Sequence, residues 1–351
     1  MKRISAIAAA VAVVLAAGAA QAQAKYKWRM TTLAPSETST YFTLFAKPYA
    51  ENVKRLSNGE IEITPHAAGV IAPAFKAYEA VQDGLAELAN SWSGYLVNQD
   101  PANALLGSFP GGMGIDAYMT WLYAGGGMKL WQDFRREKMG LHTLVVGVGP
   151  AEIHLHSNKP VRTVEDLKGM KIRTAGAFAD VVKALGGSPV TVPGSEVYTM
   201  LERKAVDAVE WATPAENMVL GLHKAAKYVI MPGVHAPTTG AFDMVMKPEL
   251  WDGLPDRLKT AMEIAAQITT QQALYEWTVR DLEAMETLRK GGNEIIVVDP
   301  SYIQAIDKAS RDWAYEKAKD NPWVKKIADS FFGFKDRWAV LSNWVSTSQM
   351  Q

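Results

Sequence analysis

The sequence predicts an α/β protein of two lobes, with one long helix that spans both lobes and a helical extension at the C-terminus. The chain of 351 residues is long enough for two domains of ordinary size. Strand and helix patterns alternate along much of it, which is typical of parallel α/β sheets. Between Pro255 and Lys290 there is no glycine and no second proline. A helix of that length extends over about 54 Å, more than the width of one domain.

The first 24 residues have the pattern of a secretory signal peptide. Lys2 and Arg3 form a basic start, residues 4–20 are small and apolar, and Ala-Gln-Ala occurs twice before Lys25. This pattern predicts cleavage near Ala22 or Ala24. A retained membrane anchor is the alternative, but the apolar run is short and rich in alanine. Because the chain contains no cysteine, we expect a periplasmic protein stabilised by core burial and not by disulfides.

The charge balance argues against two classes of partner. Removing Lys2 and Arg3 leaves 35 basic against 37 acidic residues, a formal charge of about −2. Such a balance does not favour nucleic acid or an anionic membrane surface. No later apolar run has the length of a bilayer span.

The first lobe is predicted from residues 25–148, together with a return of the chain at about 236–254. Turn residues such as Asn58-Gly59 and Gly84 separate its elements. These are a strand at 26–32, a helix at 42–56, a strand at 61–64, a helix at 75–83, and strands at 88–92, 141–148 and 239–246.

The second lobe is predicted from residues 149–235, together with about 291–320. Thr163 is a helix N-cap residue and Gly169 follows the end of that short helix. The other elements are strands at 152–156, 171–173 and 206–211 and helices at 178–185 and 193–204. The long helix, 255–290, connects this lobe with the first.

The C-terminal extension, residues 321–351, has an apolar stripe at helical spacing. The stripe comprises Trp323, Ile327, Phe331, Phe334, Trp338, Leu341 and Val345. Gly333 could divide it into two helices. The stripe predicts docking either on the parent chain or on a second copy.

Polar and aromatic residues follow the predicted strands where parallel sheets bind ligands, beyond the carboxyl ends of their strands. Arg173 offers a planar fork that suits a carboxylate. If the acids converge, their repulsion would raise the pKa of at least one carboxyl group unless a cation lies among them, and oxygen ligands favour Ca²⁺, Na⁺ or Mg²⁺. The candidate ligand-binding residues are Arg173, Glu152, Trp211, Asn90, Ser93, Tyr95 and Phe178, and the candidate metal residues are Glu210, Trp211, Asp243 and Glu152.

Two competing chemistries use the same segments. In Glu152-Ile-His154-Leu-His156, alternate positions of a strand would place the polar side chains on one face, and the histidine pair could bind Zn²⁺. The plainer interpretation is a half-exposed sheet face with two ordinary histidines. A metal-dependent lyase or hydrolase could also use the three acids around Mg²⁺, with Arg173 holding a substrate carboxylate.

Five segments together resemble one family. They are APAF at 72–75, GLAEL at 84–88, LYAGGGMKLW at 122–131, TVEDLKGMKIR at 163–173 and VDAVEW at 206–211. From about Trp28 to Trp344 the chain resembles the extracytoplasmic solute-binding proteins of tripartite ATP-independent periplasmic (TRAP) transporters, DctP type. It is similar to the branch that binds 2-oxo acids such as pyruvate.

The resemblance implies a two-lobed periplasmic binding protein fold and binding without chemistry. It assigns the ligand carboxylate to Arg173, and a bridging cation to Glu210, the backbone of Trp211, Asp243 and Glu152. It also implies delivery of a 2-oxo acid or a 2-hydroxy acid such as lactate to a TRAP permease, and a homodimer through exchange of the C-terminal helix. Binding of dicarboxylates or sugar acids without metal is the alternative.

Two departures from the family pattern affect the site. Glu152 stands where a neutral amide is expected, and its added charge favours Ca²⁺ over Na⁺. Gly147 and Gly149 stand where a polar side chain near the ligand is expected. The hydrogen bonds to the ligand are therefore expected to differ from those of the family.

Overall fold

The computed structural model describes residues 24–345 and has the predicted two-lobed α/β architecture, with one sheet in each lobe. The predicted signal peptide, residues 1–24, lies outside the described residues except for Ala24, as do residues 346–351 of the C-terminal extension. Within the described chain, no helix combines the length and the apolar character needed to cross a bilayer.

The sheet of lobe I contains five strands in the order β2-β1-β3-β10-β4. The first three are parallel, and β10 is antiparallel to both of its neighbours. The strands are β1 Tyr26–Thr32, β2 Ile61–His66, β3 Leu88–Trp92, β4 His142–Val148 and β10 Ala241–Met246.

The sheet of lobe II contains six strands in the order β11-β9-β5-β8-β6-β7. Here β5 is the antiparallel strand, between β9 and β8. The strands are β5 Leu155–Ser157, β6 Lys171–Arg173, β7 Ser188–Val190, β8 Ala208–Val209, β9 Tyr228–Met231 and β11 Glu294–Val297.

Helices cover both sheets. Those of the first half are α1 Lys47–Leu56, α2 Ala77–Gln82, α3 Ala102–Leu106, α4 Ile115–Tyr123, α5 Gly127–Met139, α6 Ala177–Ala184 and α7 Gly194–Glu202. A π-helical turn, Phe42–Ala46, leads into α1. The later helices are α8 Pro214–Val219, α9 Leu222–Ala225, α10 Pro248–Asp252, α11 Asp256–Lys290, α12 Pro300–Ala318 and α13 Pro322–Val345.

The chain crosses between the lobes after β4, after β9 and along α11. The 35 residues of α11 form one continuous helix, as predicted. Near its start Leu258 belongs to a core shared with lobe I, and near its end Leu288 packs against Val229 of β9. The division of the chain into lobe I (25–148 and about 236–254) and lobe II (149–235 and about 291–320) remains a proposal, which this strand assignment supports.

Two predicted strands are shorter than the sequence indicated. The strand expected at 152–156 begins only at Leu155, and the strand expected at 206–211 comprises Ala208 and Val209 alone. In both cases the residues outside the ladder include glutamates that line the space between the lobes. The sheet therefore ends where the functional side chains begin.

The C-terminal helix α13 is continuous through Gly333, so the expected break is absent there. Its first half docks on the parent chain, where Trp323 contacts Phe134 and Phe331 contacts Trp121. Apolar packing on both sides of the exposed glycine outweighs its cost in a helix interior, about 1 kcal/mol relative to alanine.

A buried ion pair, Arg135 with Asp243, lies within lobe I. Asp243 of β10 accepts hydrogen bonds from Arg135 Nε at 2.9 Å, Trp131 Nε1 at 3.0 Å, Tyr78 Oη at 2.6 Å and Thr143 Oγ1 at 3.1 Å. Both charged side chains of the pair are fully buried. Removal of one charge would leave the other without compensation in the core.

We therefore expect Asp243→Ala to lower the free energy of unfolding by about 3–5 kcal/mol, measured by urea denaturation. Asp133→Ala is the matched control, because Asp133 pairs with Lys129 on the surface, and should cost less than about 1 kcal/mol. Equal losses in the two variants would contradict a structural role for the buried pair.

Candidate ligand-binding and metal site

A pocket lies between the two lobes. Lobe I contributes aromatic side chains, whereas lobe II contributes all of the charged side chains together with two aromatic ones. The lining residues of lobe I include Tyr41, Trp92, Tyr95 and Phe242. Those on the opposite side include Glu152, Arg173, Phe178, Glu210, Trp211 and His235. The cavity volume open to the centres of water molecules is about 40 Å³. That is room for about three waters.

The lobes are in contact beside this pocket. Glu216 of α8 accepts hydrogen bonds from Ser39 Oγ at 3.1 Å and from the Thr40 N–H at 2.9 Å, across the gap between the lobes. Glu216 is fully buried. The pocket is therefore that of a closed form.

Arg173 ends β6 and is 1% exposed. Its Nη1 donates to the Glu210 carbonyl at 2.9 Å and its Nη2 to the Val192 carbonyl at 2.8 Å. The guanidinium lies 4.8 Å from the centre of the Trp211 ring. Its Nε–H has no hydrogen-bond partner. A buried donor without a partner is costly, so this N–H is available for a ligand acceptor.

Glu152, Glu210 and His235 form a buried cluster next to the arginine. The Nε2 atom of His235 is 2.9 Å from Glu152 Oε2 and 3.4 Å from Glu210 Oε1. Each residue offers one donor atom, and these three atoms lie within 4.8 Å of one another. Two carboxylates and an imidazole in that arrangement fit a cation.

The path of the chain explains how His235 reaches this cluster. After β9 the chain turns at Gly233, and the Glu152 N–H donates to the Ala236 carbonyl at 3.1 Å. A Cβ on Gly233 would lie 2.0 Å from the carbonyl oxygen of Glu152. Only glycine therefore permits this approach, which places His235 over the glutamate side chain.

Burial and charge shift the ionisation of all three groups. Burial raises the pKa of Glu152 to about 7, although the hydrogen bond from His235 opposes this. Burial also raises the pKa of Glu210, but its contacts with His235 and Arg173 outweigh that effect and lower the pKa overall. For His235 burial lowers the pKa, whereas hydrogen bonds to Glu152 and Glu210 raise it, with a net value of about 9. The two glutamates thus attract positive charge to Nε2.

His235 was not among the site residues expected from the sequence. It lies outside any strand, in the second crossing between the lobes, and no motif marks it. Its place two residues after Gly233, in a crossing between the lobes, is the signal that could have suggested it.

The structure brings together most of the predicted site residues. Arg173, Glu152, Glu210, Trp211, Tyr95 and Phe178 all line the pocket. Asn90 and Ser93 are not among its lining residues. Asn90 Nδ2 donates to the Asp243 carbonyl at 3.1 Å, and Ser93 Oγ donates to the Asn103 carbonyl at 2.9 Å, both inside lobe I.

The expected convergence of three acids is wrong for Asp243. Successive residues of a strand point to opposite faces of the sheet. Phe242 faces the pocket, so Asp243 points to the other face, where Arg135 neutralises it. The third member of the cluster is therefore His235 and not Asp243.

The alternative Zn²⁺ site at His154 and His156 is not assembled. Both ring nitrogens of His154 are engaged, by His235 and by Tyr302. His156 is buried with neither nitrogen bonded, and burial lowers its pKa to about 3. In the part of the chain that the structure describes, the cluster of possible metal ligands includes Glu152 but neither of these histidines.

Close packing explains the two glycines that depart from the family pattern. A Cβ on Gly147 would lie 2.4 Å from the Phe45 ring, and one on Gly149 would lie 2.5 Å from Thr239 Oγ1. No polar side chain can stand at either position without a shift of these neighbours.

Comparisons with known proteins agree with this architecture. A Nostoc protein described as a monocarboxylate 2-oxoacid-binding periplasmic protein is 30% identical over 334 residues, which cover 92% of this chain and 90% of the relative. A solute-binding protein from Pseudoalteromonas atlantica, solved with sodium and pyruvate, is 25% identical and has a TM-score of 0.86, covering 93% of this chain and 98% of that one. A Bordetella bronchiseptica protein, solved as a mixed-occupancy dimer with calcium and picolinate, is 24% identical with a TM-score of 0.88, covering 93% and 96%.

The family model described as bacterial extracellular solute-binding protein, family 7, matches residues 31–320. The chain belongs to this family, the DctP family of TRAP-transporter solute-binding proteins.

Proposed function

We propose that this protein binds a small monocarboxylate with an oxygen on the adjacent carbon, and delivers it to a TRAP permease. A 2-oxo acid such as pyruvate or a 2-hydroxy acid such as lactate has this form. The observation that carries the proposal is the unpartnered Nε–H of buried Arg173, beside the cluster of Glu152, Glu210 and His235. The names of the Nostoc and Pseudoalteromonas relatives support the same class of ligand.

The size of the pocket favours a small ligand. A volume of about 40 Å³ suits a molecule the size of a few waters. A sugar acid would need the lobes to stand further apart than in this closed form. The contact of Glu216 with Ser39 and Thr40 would then be lost.

The charges favour a divalent cation. Once a cation has displaced the proton that Glu152 and Glu210 hold on His235, Arg173, two ionised glutamates and a bound carboxylate have a net charge of −2. A divalent ion such as Ca²⁺ neutralises this charge, whereas Na⁺ leaves one negative charge buried. Glu152 and Glu210 would hold the ion, as would the carbonyl of Trp211 if the family pattern applies. A cation held by these residues would supply positive charge next to the ligand carboxylate and its adjacent oxygen.

We propose binding without catalysis. In the family and its relatives the described role is solute binding. The aromatic wall of lobe I closes over the charged wall of lobe II, as in two-lobed receptors that close around a ligand. A lyase or hydrolase that uses the same acids is the alternative, and conversion of the bound acid would reveal it.

Val340, Leu341 and Trp344 support a homodimer through the second half of α13. These side chains are 61%, 49% and 84% exposed at the end of a helix whose first half is buried. Exposed apolar patches of this kind favour contact with another protein surface.

We expect pyruvate or lactate to raise the melting temperature of the metal-stripped protein only when a divalent ion is added. A ligand that binds the folded state but not the unfolded state stabilises the folded state by mass action, and we expect the acid to bind only together with the ion. Differential scanning fluorimetry should include succinate and galacturonate as larger acids. Stabilisation by those acids without a cation would contradict the proposed ligand and the proposed cation.

Arg173→Ala should weaken pyruvate binding by about 2–5 kcal/mol, since truncation leaves a buried carboxylate unpaired. Isothermal titration calorimetry measures the loss. Because Arg173 also binds two carbonyls, its replacement should lower the melting temperature of the ligand-free protein as well. Arg203→Ala, on the surface of lobe II, is the control. Unchanged affinity in the Arg173 variant would exclude its role.

For the oligomer, we expect sedimentation at micromolar concentration to give a mass near two chains. Trp344→Ser should shift the equilibrium towards one chain, because it removes the most exposed of these apolar side chains. A wild-type mass near one chain would contradict the dimer.

A further inference from the structure

We propose that His235 is a third ligand of the cation, and that it makes this pocket prefer a divalent ion that accepts imidazole nitrogen, such as Zn²⁺, over Ca²⁺ and Na⁺. The inference rests on the proposed function, because it concerns the cation of the same pocket. It refines the expectation from charge alone, which does not distinguish one divalent ion from another.

The distances within the cluster match neighbouring ligands of one ion. His235 Nε2 lies 2.9 Å from a Glu152 oxygen and 3.4 Å from a Glu210 oxygen. Two donors that are each about 2.1 Å from an ion are about 3.0 Å apart at a right angle and about 3.4 Å apart at a tetrahedral angle. The imidazole is therefore as close to each carboxylate as a shared ion requires.

A buried chain of contacts fixes the other side of the imidazole. His235 Nδ1 is 3.1 Å from His154 Nδ1, and His154 Nε2 is 2.6 Å from Tyr302 Oη. When His235 donates from Nδ1, His154 accepts at Nδ1 and donates from Nε2 to the tyrosine oxygen. The Nε2 lone pair of His235 then faces the two glutamates. A metal-binding histidine has this arrangement, with its second ring nitrogen donating to a partner that orients it.

Packing prevents the imidazole from turning away. His154 and Tyr302 have no exposed surface, and Tyr302 belongs to the core of lobe II between α12 and the sheet. The Phe178 ring lies 5.2 Å from the His235 ring. The imidazole is thus a fixed part of the pocket wall.

A fixed nitrogen discriminates among cations. Ca²⁺ and Na⁺ are held by oxygen ligands, and imidazole suits Zn²⁺ and similar ions. Asp243, which would have given a third carboxylate, is bound to Arg135 elsewhere in lobe I. Among the described residues, the donors assembled here are two oxygens and one nitrogen.

The test is calorimetric titration of the metal-stripped mature protein with Zn²⁺ alone and with Ca²⁺ alone, without any carboxylate. We expect one Zn²⁺ per chain, bound at least tenfold more tightly than Ca²⁺. His235→Gln offers oxygen in place of nitrogen, and should weaken Zn²⁺ binding at least tenfold while changing Ca²⁺ binding by less than about threefold. His223→Gln, on the short helix α9, controls for adventitious binding to a more accessible histidine.

A second variant tests the role of His235 without changing any residue of the cluster, in case His235→Gln does not fold. Tyr302→Phe leaves the cluster intact but removes the partner of His154, and loss of such orienting contacts typically weakens metal binding by 10- to 100-fold. We expect a loss of about tenfold for Zn²⁺, with the melting temperature showing that the variant is folded.

Three outcomes would overturn the inference: tighter binding of Ca²⁺ than of Zn²⁺, an unchanged preference in His235→Gln, or pyruvate binding that persists in EDTA. In the last case the imidazole itself would supply the positive charge. Pyruvate titrations with each ion separate this failure from that of the proposed function. If pyruvate binds with Ca²⁺ but not with Zn²⁺, only the role of His235 fails, whereas absence of binding with either ion contradicts the proposed ligand.

Discussion

The balance of buried charge between the lobes is the constraint on which the site depends. One guanidinium, two carboxylates and an imidazole are all removed from water, and ions in that position are tolerated only when they are paired and hydrogen-bonded. Each of the four has a partner, but the Nε–H of Arg173 has none. The pocket is consequently incomplete in a specific way, since it can still accept a negative group beside the arginine. The fold determines where the charged groups lie, and their charges determine which kind of ligand the pocket can bind.

Exact packing around the pocket maintains this arrangement. Gly233 allows the turn that holds His235 to approach Glu152, and Gly194 leaves space for the Trp211 ring on which Arg173 stacks. In lobe I the bond network around Asp243 keeps β10 attached to the helices behind it. The site thus lies between two walls, each held by its own buried polar contacts.

Much of the fold could be predicted from the sequence, because it depends on local patterns. The long helix α11 follows from a stretch without glycine and with proline only at its start, and Arg173 and Glu210 follow from their places at strand ends. Asp243 and Asn90 could not be placed correctly, since a residue's direction from a strand depends on which face meets the other lobe. His235 was missed for a different reason, as its role arises from a crossing segment that folds back over a distant glutamate. Contacts between remote segments leave no periodicity in a single sequence.

The contact of Glu216 with Ser39 and Thr40 has a consequence for the empty receptor. Separation of the lobes would return this carboxylate to water, so hydration replaces the hydrogen bonds that closure provides. Burial raises the pKa of Glu216 in spite of these hydrogen bonds, so the cost of burying the ionised carboxylate exceeds what the bonds return to it. This contact alone therefore does not strongly favour the closed arrangement, and a ligand shifts such an equilibrium only by its difference in affinity for the two arrangements. The preference for the closed arrangement can then come from the solute itself, through contacts that it makes with both lobes at once.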